Sequence, residues 1–284
     1  MLTKLNKLFR KATDGKCKLP KKYHKEFQDK CLEVLTKQFM PKEPREFKYR
    51  MSQIGRDIRM LQCQKLGLET DAPLPDNFSL KMTYGDLVEA LIIVLLKASG
   101  VNVQVEQLEC ELELEHQLIT GTLDIIIDDK VWDIKTCSDY AYKFKFVDFK
   151  TLYAKDDFGY VPQLYLYSEA TGYDVGGWIV INKSSGQIKI IKASKSKKVY
   201  EEVLDSVAQN IISLQHTYDI SDIDDTLPLE EESFRQKKTG KLVLHKDYKY
   251  FDYKKVLWGD KLEYKPNELS IAKSPPYNWY LKEE

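Results

Sequence analysis

The sequence lacks an excess of charge of either sign, because 44 Lys and Arg residues balance 44 Asp and Glu residues along its 284 positions. Without a global basic field, any surface for nucleic acid has to be local. The sequence also lacks a long hydrophobic run. The longest, Leu87 to Leu96, is interrupted by Glu89 and is too short to span a bilayer. We therefore expect no membrane partner.

Cysteine is scarce, and its pattern is irregular. The five cysteines are odd in number and show no CxxC spacing, which favours reduced thiols in a cytoplasmic compartment. The first residues, MLTKLNKLFRKATDGK, contain no apolar signal core, which predicts no export signal. Hydrophobic residues make up 43% and charged residues 31%, as in soluble globular proteins. The length suffices for one large domain or for a core with an accessory lobe.

The stretch over residues 116–136, HQLITGTLDIIIDDKVWDIKT, predicts two strands joined by a tight acidic turn. If the turn has two residues, Ile127 pairs with Lys130. Counting back along both strands then brings Asp124 opposite Asp133. A three-residue loop would shift the register by one residue and separate the two acids, so both registers are left open here.

Two carboxylates that face each other across a ladder destabilise it unless a positive charge lies between them. Lys135 lies on the same face as Asp133, because strand side chains alternate. The neighbouring positions are hydrophobic: Leu123, Ile125, Ile126, Ile127, Val131, Trp132 and Ile134. Oxygen ligands of this kind suit Mg²⁺ or Mn²⁺. The alternative is an edge hairpin that carries charged residues on a solvated face.

A helix is predicted from Tyr84 to Ala98, and its apolar residues lie on every side, which indicates burial all round. Glu89 is the single acid inside the apolar stretch of this helix. Burying an isolated carboxylate either costs free energy or raises its pKa until it is neutral. Glu89 therefore needs a partner, which is either a structural Arg or Lys or a cation.

Three basic side chains are candidates for contacts with phosphate. Arg59 lies on a helix predicted over residues 54–66, with Ser52 as its N-cap. For Arg59, the alternative is a solvated helix face. Lys143 and Lys145 alternate with aromatic residues, a mixture that suits stacked bases and bound phosphates but also an ordinary amphipathic element.

A further helix is predicted over residues 158–170, with Gln163 and Tyr167 on one face because they are spaced i, i+4. With this helix, four motifs resemble those of the PD-(D/E)XK nuclease superfamily, in its RecB-like and lambda-exonuclease-like branches. They occur in the family's order: G-x-x-x-E at 85–89, G-x-x-D at 121–124, D-x-K at 133–135 and Q-x-x-x-Y at 163–167. The proline of the family's name is replaced by Leu123.

The resemblance implies an α/β fold, with a central mixed β-sheet flanked by helices as in restriction endonucleases. Helical additions are expected at both ends of this core. We expect a helical N-terminal region over residues 1–75 and the nuclease core over 76–218. An acidic linker and a C-terminal lobe that packs back on the N-terminal region are expected over 219–284.

The resemblance also implies a metal-dependent DNA nuclease. Asp124 and Asp133, helped by Glu89 and the Ile134 carbonyl, are expected to hold one or two Mg²⁺ or Mn²⁺ ions. Lys135 is expected to orient or deprotonate the attacking water and to offset phosphate charge.

In that family, the residues matching Gln163 and Tyr167 line the active site and either contact the nucleic acid or order the site. A phage-type exonuclease in DNA recombination or processing is the first expectation, which would place the protein in the host cytoplasm if a phage encodes it. A structure- or site-specific endonuclease, or a non-catalytic DNA-binding subunit on the same fold, is the alternative. DNA is the expected partner; a single-strand annealing or recombination protein and a homo-oligomer stay open.

Residues 246–260 resemble the segment that closes an iron–sulfur cluster in some RecB-family nucleases. Other side chains stand where its three cysteines would be, namely Tyr248, Phe251 and Leu257. Asp57 stands at the fourth position, upstream. Without thiolates a cluster cannot be ligated, so the resemblance implies a version without iron–sulfur, in which aromatic packing ties this lobe to residues 45–66.

Overall fold

A computed structural model describes residues 1–41, 46–234, 237–248, 251–265 and 279–282. The chain divides into two compact units, one formed by residues 1–55 and 75–211, the other by residues 56–74 and 212–284. The predicted division at residues 75 and 218 stays a prediction. Among the helices of the described residues, none is long and apolar enough to cross a membrane.

The first unit contains a five-stranded sheet. Its strands are β1 (Val103–Leu114), β2 (Gln117–Ile127), β3 (Lys130–Cys137), β4 (Asp174–Asn182) and β5 (Ile188–Lys192). They lie side by side in sequence order. Neighbouring strands are antiparallel except β3 and β4, which are parallel. A parallel pair needs a long crossover connection, and this one contains three helices.

Helices surround this sheet. They are α1 (Leu2–Thr13), α2 (Lys21–Phe39), α4 (Phe78–Ala98), α5 (Asp139–Phe144), α6 (Phe149–Ala154), α7 (Tyr160–Thr171) and α8 (Lys197–Gln215), whose last residues belong to the second unit. Helix α4 packs on β1 and β3, and α1 and α2 pack on α4. Helix α7 packs on β1, β3 and β4. The predicted α/β class, with a mixed sheet and flanking helices, is confirmed.

The core forms because the strands place alternate residues on one face. Ile92 and Leu96 of α4 pack there with Ile125, Ile127 and Ile134 of the sheet. All five are at most 4% exposed, and burying such a side chain contributes about 1.5–3 kcal/mol each. The intervening positions on β3, Asp133 and Lys135 among them, point to the opposite face.

The hairpin between β2 and β3 has the predicted two-residue loop. Ile127 pairs with Lys130, and the turn residues Asp128 and Asp129 have φ values of 53° and 56°. Two consecutive left-handed residues define the turn that matches the twist of paired strands. The predicted register is confirmed, and the three-residue alternative is excluded.

The second unit contains α3 (Ile58–Lys65), α9 (Lys254–Trp258) and a four-stranded sheet. Its strands are β6 (Leu229–Phe234), β7 (Lys237–Leu244), β8 (Leu262–Tyr264) and β9 (Trp279–Leu281), in the spatial order β6-β7-β9-β8. The start predicted for α3, with Ser52 as the cap, is wrong. Asp57 caps this helix instead, because its carboxylate accepts hydrogen bonds from the Arg59 and Met60 amides.

The positions compared with iron–sulfur ligands all lie in this second unit. Phe251 and Leu257 are buried in one apolar cluster with Cys63, and Tyr248 packs against it. Residues 249–250 of the same segment lie outside the described residues. The absence of an iron–sulfur cluster stays a prediction that follows from the missing thiols.

Candidate active site

The β2–β3 ladder ends one residue short of the two predicted acids. Its last pair joins Ile125 to Trp132, so Asp124 and Asp133 occupy the next register position. The Asp124 carboxylate there accepts a 2.6 Å hydrogen bond from the Ile134 backbone N–H. Since the N–H and C=O of one extended residue point to the same side of a strand, the Ile134 carbonyl also faces β2.

Lys135 stands beside the second acid. Its Nζ lies 2.7 Å from Asp133 Oδ1, and Asp133 is only 1% exposed. Within the described residues, the other oxygen, Asp133 Oδ2, is buried and has no hydrogen-bond partner. Native proteins rarely leave a buried polar atom unpaired without a reason such as a missing ion or water.

The electrostatics of this cluster follow from burial. Burial raises the pKa of Asp124 well above its ordinary value, and the charges of Glu89 and Asp133 raise it further. Burial also raises the pKa of Asp133, against the opposing effect of Lys135. Burial lowers the pKa of Lys135, but Asp133 and Asp124 outweigh this and raise it above its ordinary value. Three acids therefore share one ammonium group, and burial without a metal favours their neutral, protonated forms.

Glu89 reaches this cluster from α4. Burial, opposed by Lys135 and assisted by Asp133, raises its pKa to about 7. Its Oε1 accepts a 2.7 Å hydrogen bond from Gln107 Nε2 on β1. The sequence predicted a structural Arg or Lys, or a cation, as the partner of Glu89. In the structure, its hydrogen-bonded partner is the neutral amide of Gln107.

Asp124, Asp133 and the Ile134 carbonyl offer hard oxygen atoms that fit Mg²⁺ or Mn²⁺. The unpartnered Asp133 Oδ2 supports this fit. In the part of the chain that the structure describes, no three Asp, Glu, His or Cys side chains stand close enough to hold a metal as they are. Glu89 therefore stays a predicted ligand, one that has to approach further to join the two aspartates.

Gln163 and Tyr167 of α7 extend the cluster. Gln163 Oε1 accepts a hydrogen bond from Lys135 Nζ at 3.4 Å, and Gln163 Nε2 donates to the Tyr167 hydroxyl at 3.0 Å. A continuous polar chain thus runs from Asp133 through Lys135 to Tyr167. Both α7 side chains are nearly buried, with exposures of 7% and 2%, so this chain is held in place by the core.

Gly121 of β2 leaves room for Tyr167. A Cβ atom at Gly121 would lie 2.7 Å from Tyr167 Cε1 and 3.1 Å from Met51 Cβ. We expect Gly121→Ala to destabilise the protein by about 1–3 kcal/mol, as overpacking of a core does, in thermal or urea unfolding.

Gly85→Ala is the matched control. Gly85 lies inside α4, where a Cβ would meet only Thr136 Oγ1, at 3.7 Å. Alanine in a helix interior stabilises by about 0.5–1 kcal/mol relative to glycine. Equal losses of stability in Gly85→Ala and Gly121→Ala would show that the close contact of residue 121 with Tyr167 does not determine the effect.

The two lysines predicted to contact phosphate differ in their surroundings. Lys143 is exposed and forms a surface ion pair of 2.7 Å with Asp139. The Lys145 Nζ is buried, with no hydrogen-bond partner among the described residues. It lies 4.7 Å from the ring centre of Phe158 and 5.0 Å from that of Tyr160. Burial lowers the pKa of Lys145. Only Lys143 is open to a ligand as the structure stands.

Arg59 belongs to the second unit. Its guanidinium is ion-paired with Asp224 and donates a 3.0 Å hydrogen bond to the Tyr248 hydroxyl. It also lies over the Trp258 ring, 5.8 Å from the ring centre. The structure therefore gives Arg59 partners within its own unit, and its contact with phosphate stays a prediction.

Two residues near the acids were not predicted from the sequence. Gln107 holds Glu89, as described above. Tyr160, the first residue of α7, places its ring 5.2 Å from Lys135 Nζ and 5.0 Å from Lys145 Nζ. The aromatic-rich stretch before α7 was the only signal for Tyr160, and no local pattern marked Gln107.

No protein-family model and no curated protein sequence matches the chain. An alkaline exonuclease from Laribacter hongkongensis is similar in structure at 14% identity and a TM-score of 0.41, over 59% of this chain and 88% of that chain. A phage-related exonuclease from Haemophilus somnus 129PT is similar at 16% identity and a TM-score of 0.38, over 63% and 98%. Similarities this weak carry no argument about chemistry, which rests on the side chains.

Proposed function

We propose that the protein is a metal-dependent nuclease that hydrolyses phosphodiester bonds in DNA. One observation carries the proposal. Two acids on neighbouring strands meet where their ladder parts, and a lysine two residues further on is paired with one of them. An edge hairpin with solvated charges does not account for Asp133, which is 1% exposed.

Each residue of the cluster has a role in that reaction. Asp124, Asp133 and the Ile134 carbonyl would hold Mg²⁺ or Mn²⁺, with Glu89 as a further ligand. A bound ion of this kind polarises the phosphate and acidifies the attacking water. Lys135, which its raised pKa keeps as an ammonium group, orients that water and offsets the charge that develops on the phosphate.

The α7 side chains act on the substrate. The Gln163 amide and the Tyr167 hydroxyl position the strand next to Lys135, and the exposed Lys143 meets a phosphate further along it. An exonuclease of the phage type is favoured because the four motifs occur in the order of the RecB and lambda-exonuclease branches. Nucleases on such a fold share the hydrolytic reaction, whereas the loops decide which DNA substrate is cut and from which end. A structure- or site-specific endonuclease is therefore the second candidate.

Purified protein incubated with linear and with circular DNA tests the proposal. Mg²⁺-dependent release of acid-soluble nucleotides from linear DNA alone is expected, since an exonuclease needs ends. Nicking of the circles would select the endonuclease. DNA binding without cleavage of either substrate, in Mg²⁺ and in Mn²⁺, would show a non-catalytic binding subunit and refute the proposal.

A further inference from the structure

Gln107 occupies an unusual place in the edge strand β1. Its neighbours in the strand pair with Ile125 and Leu123, so Gln107 stands opposite Asp124, where the ladder has no pair. Its φ is 48°, in the left-handed region that few residues other than glycine adopt and that tends to occur at functional sites. The other non-glycine residues with positive φ in the described chain lie in hairpin turns.

The side chain of Gln107 crosses from β1 to α4. Its Nε2 donates the 2.7 Å hydrogen bond to Glu89 Oε1, which uses one of the two carboxylate oxygens. Glutamate has three side-chain torsions, so an isolated Glu89 would sample many rotamers. The bond restricts it to one of them.

The same α4 surface is supported from α2. Asp86, one turn before Glu89, is paired with Lys37 at 3.1 Å and accepts a 2.8 Å hydrogen bond from Gln38. Lys37, Asp86, Glu89 and Gln107 line one open pocket. Asp86 thus has its own charged partner, whereas the hydrogen-bonded partner of Glu89 is the amide of Gln107.

We propose that Gln107 is a positioning residue for the metal site. Its left-handed backbone aims the amide at Glu89 and restricts the rotamers of that carboxylate, so that a third acid has only to approach the two aspartates further when a divalent ion binds. The inference rests on the proposed nuclease function and assigns to it a residue outside the predicted ligands. The strain in β1 is retained because it serves this orientation.

Gln107→Met tests the inference, since methionine has a similar length but no donor. We expect calorimetric Mn²⁺ affinity to fall about 10- to 100-fold, the usual effect of losing a partner of a metal ligand. Saturating Mn²⁺ should restore the nuclease rate, so the metal requirement rises while the maximal rate changes little. A merely structural role would not produce this split.

Gln104→Met is the matched control. Gln104 is also an exposed glutamine of β1 and also bonds to an acid, since its Nε2 lies 2.7 Å from Asp129 Oδ1 at the hairpin turn. It lies outside the cluster of acids. Its Mn²⁺ affinity and nuclease rate should equal those of the parent.

Gln107→Gly separates orientation from stability. Glycine adopts a φ of 48° at little cost, so this variant should melt in EDTA at the parent's temperature or above it. It should nevertheless bind Mn²⁺ as weakly as Gln107→Met does. Metal affinity would then fall without a loss of thermal stability. This result is expected if the left-handed backbone at Gln107 costs stability and serves to orient Glu89.

The outcomes separate two failures. Parent-like or tighter Mn²⁺ binding by both Gln107 variants overturns the inference and leaves the nuclease function standing. A parent protein that neither binds Mn²⁺ nor cleaves DNA overturns the proposed function, and this inference with it. Weaker binding in both variants, with Gln104→Met unchanged, supports the inference.

Discussion

Lys135→Ala is expected to leave a folded protein that binds Mn²⁺ and hydrolyses DNA about 10²- to 10³-fold more slowly, the usual effect of removing one preorganised donor that stabilises developing negative charge. Lys135 is paired with Asp133 and bonded to Gln163, so its loss removes charge next to the reacting phosphate. The two aspartates remain, and metal binding should persist. Single-turnover hydrolysis and a calorimetric Mn²⁺ titration measure the two quantities separately.

Lys195→Ala is the control for this variant. Lys195 is exposed and its ion pair with Asp174 lies on the surface, where such pairs contribute about 0–1 kcal/mol. Its cleavage rate should stay far closer to that of the parent. A parent-like rate in Lys135→Ala would remove Lys135 from the active site.

Asp124→Asn is expected to abolish cleavage and yet leave the metal-free protein as stable as the parent, or more stable. Burial, together with the charges of Glu89 and Asp133, raises the pKa of Asp124, so a side chain that is always neutral removes a charge that is unfavourable at this position. Asparagine keeps an oxygen that can accept the hydrogen bond from the Ile134 amide.

Added Mg²⁺ should reverse the order of stability. A ligand that binds only the native state stabilises by mass action, by about 2.7 kcal/mol at a hundredfold excess over its Kd. The parent should therefore gain thermal stability in Mg²⁺, and Asp124→Asn should gain little. The melting temperatures of the parent and of Asp124→Asn, each measured in EDTA and in Mg²⁺, test this expectation.

Asp133→Asn provides the contrast. Asp133 is the acid paired with Lys135, and removing one member of a buried pair leaves the other without compensation. This variant should lose stability in EDTA while Asp124→Asn does not. If Asp124 were instead a structural anchor, Asp124→Asn would lose about 1–3 kcal/mol in EDTA, and Mg²⁺ would not distinguish it from the parent.

Local rules account for the parts of the site that could be predicted. A two-residue turn fixes its register by its length, and this placed Asp124 at the level of Asp133 without knowledge of the rest of the chain. Helical spacing alone put Gln163 and Tyr167 on one face. The apolar composition of α4 singled out Glu89, but the predicted burial on every side of this helix is wrong, because Leu91 is 37% exposed.

Long-range contacts and backbone conformation account for what was missed. Arg59 has partners 165 and 189 residues away in the chain, and no sequence window contains both ends of such a pair. The alternating pattern around Lys145 gave no sign that its ammonium lies against two rings. A left-handed φ at a glutamine has no signature in the sequence, so Gln107 could not be found.

The β2–β3 ladder ends at the Ile125–Trp132 pair, and this separation of the two strands also affects aggregation. Thr120 of β2 bonds to the backbone of Tyr49 and Met51 on one side of the gap, and Ile125 pairs with Trp132 on the other. Between them, in the described chain, residues 121–123 have a ladder partner only on the β1 side, and Asp124 has none on either side. An unpaired strand edge is a template for strands of other chains, and buried or inward-pointing charges discourage such pairing. The carboxylates at this gap therefore discourage strands of other chains from pairing with β2.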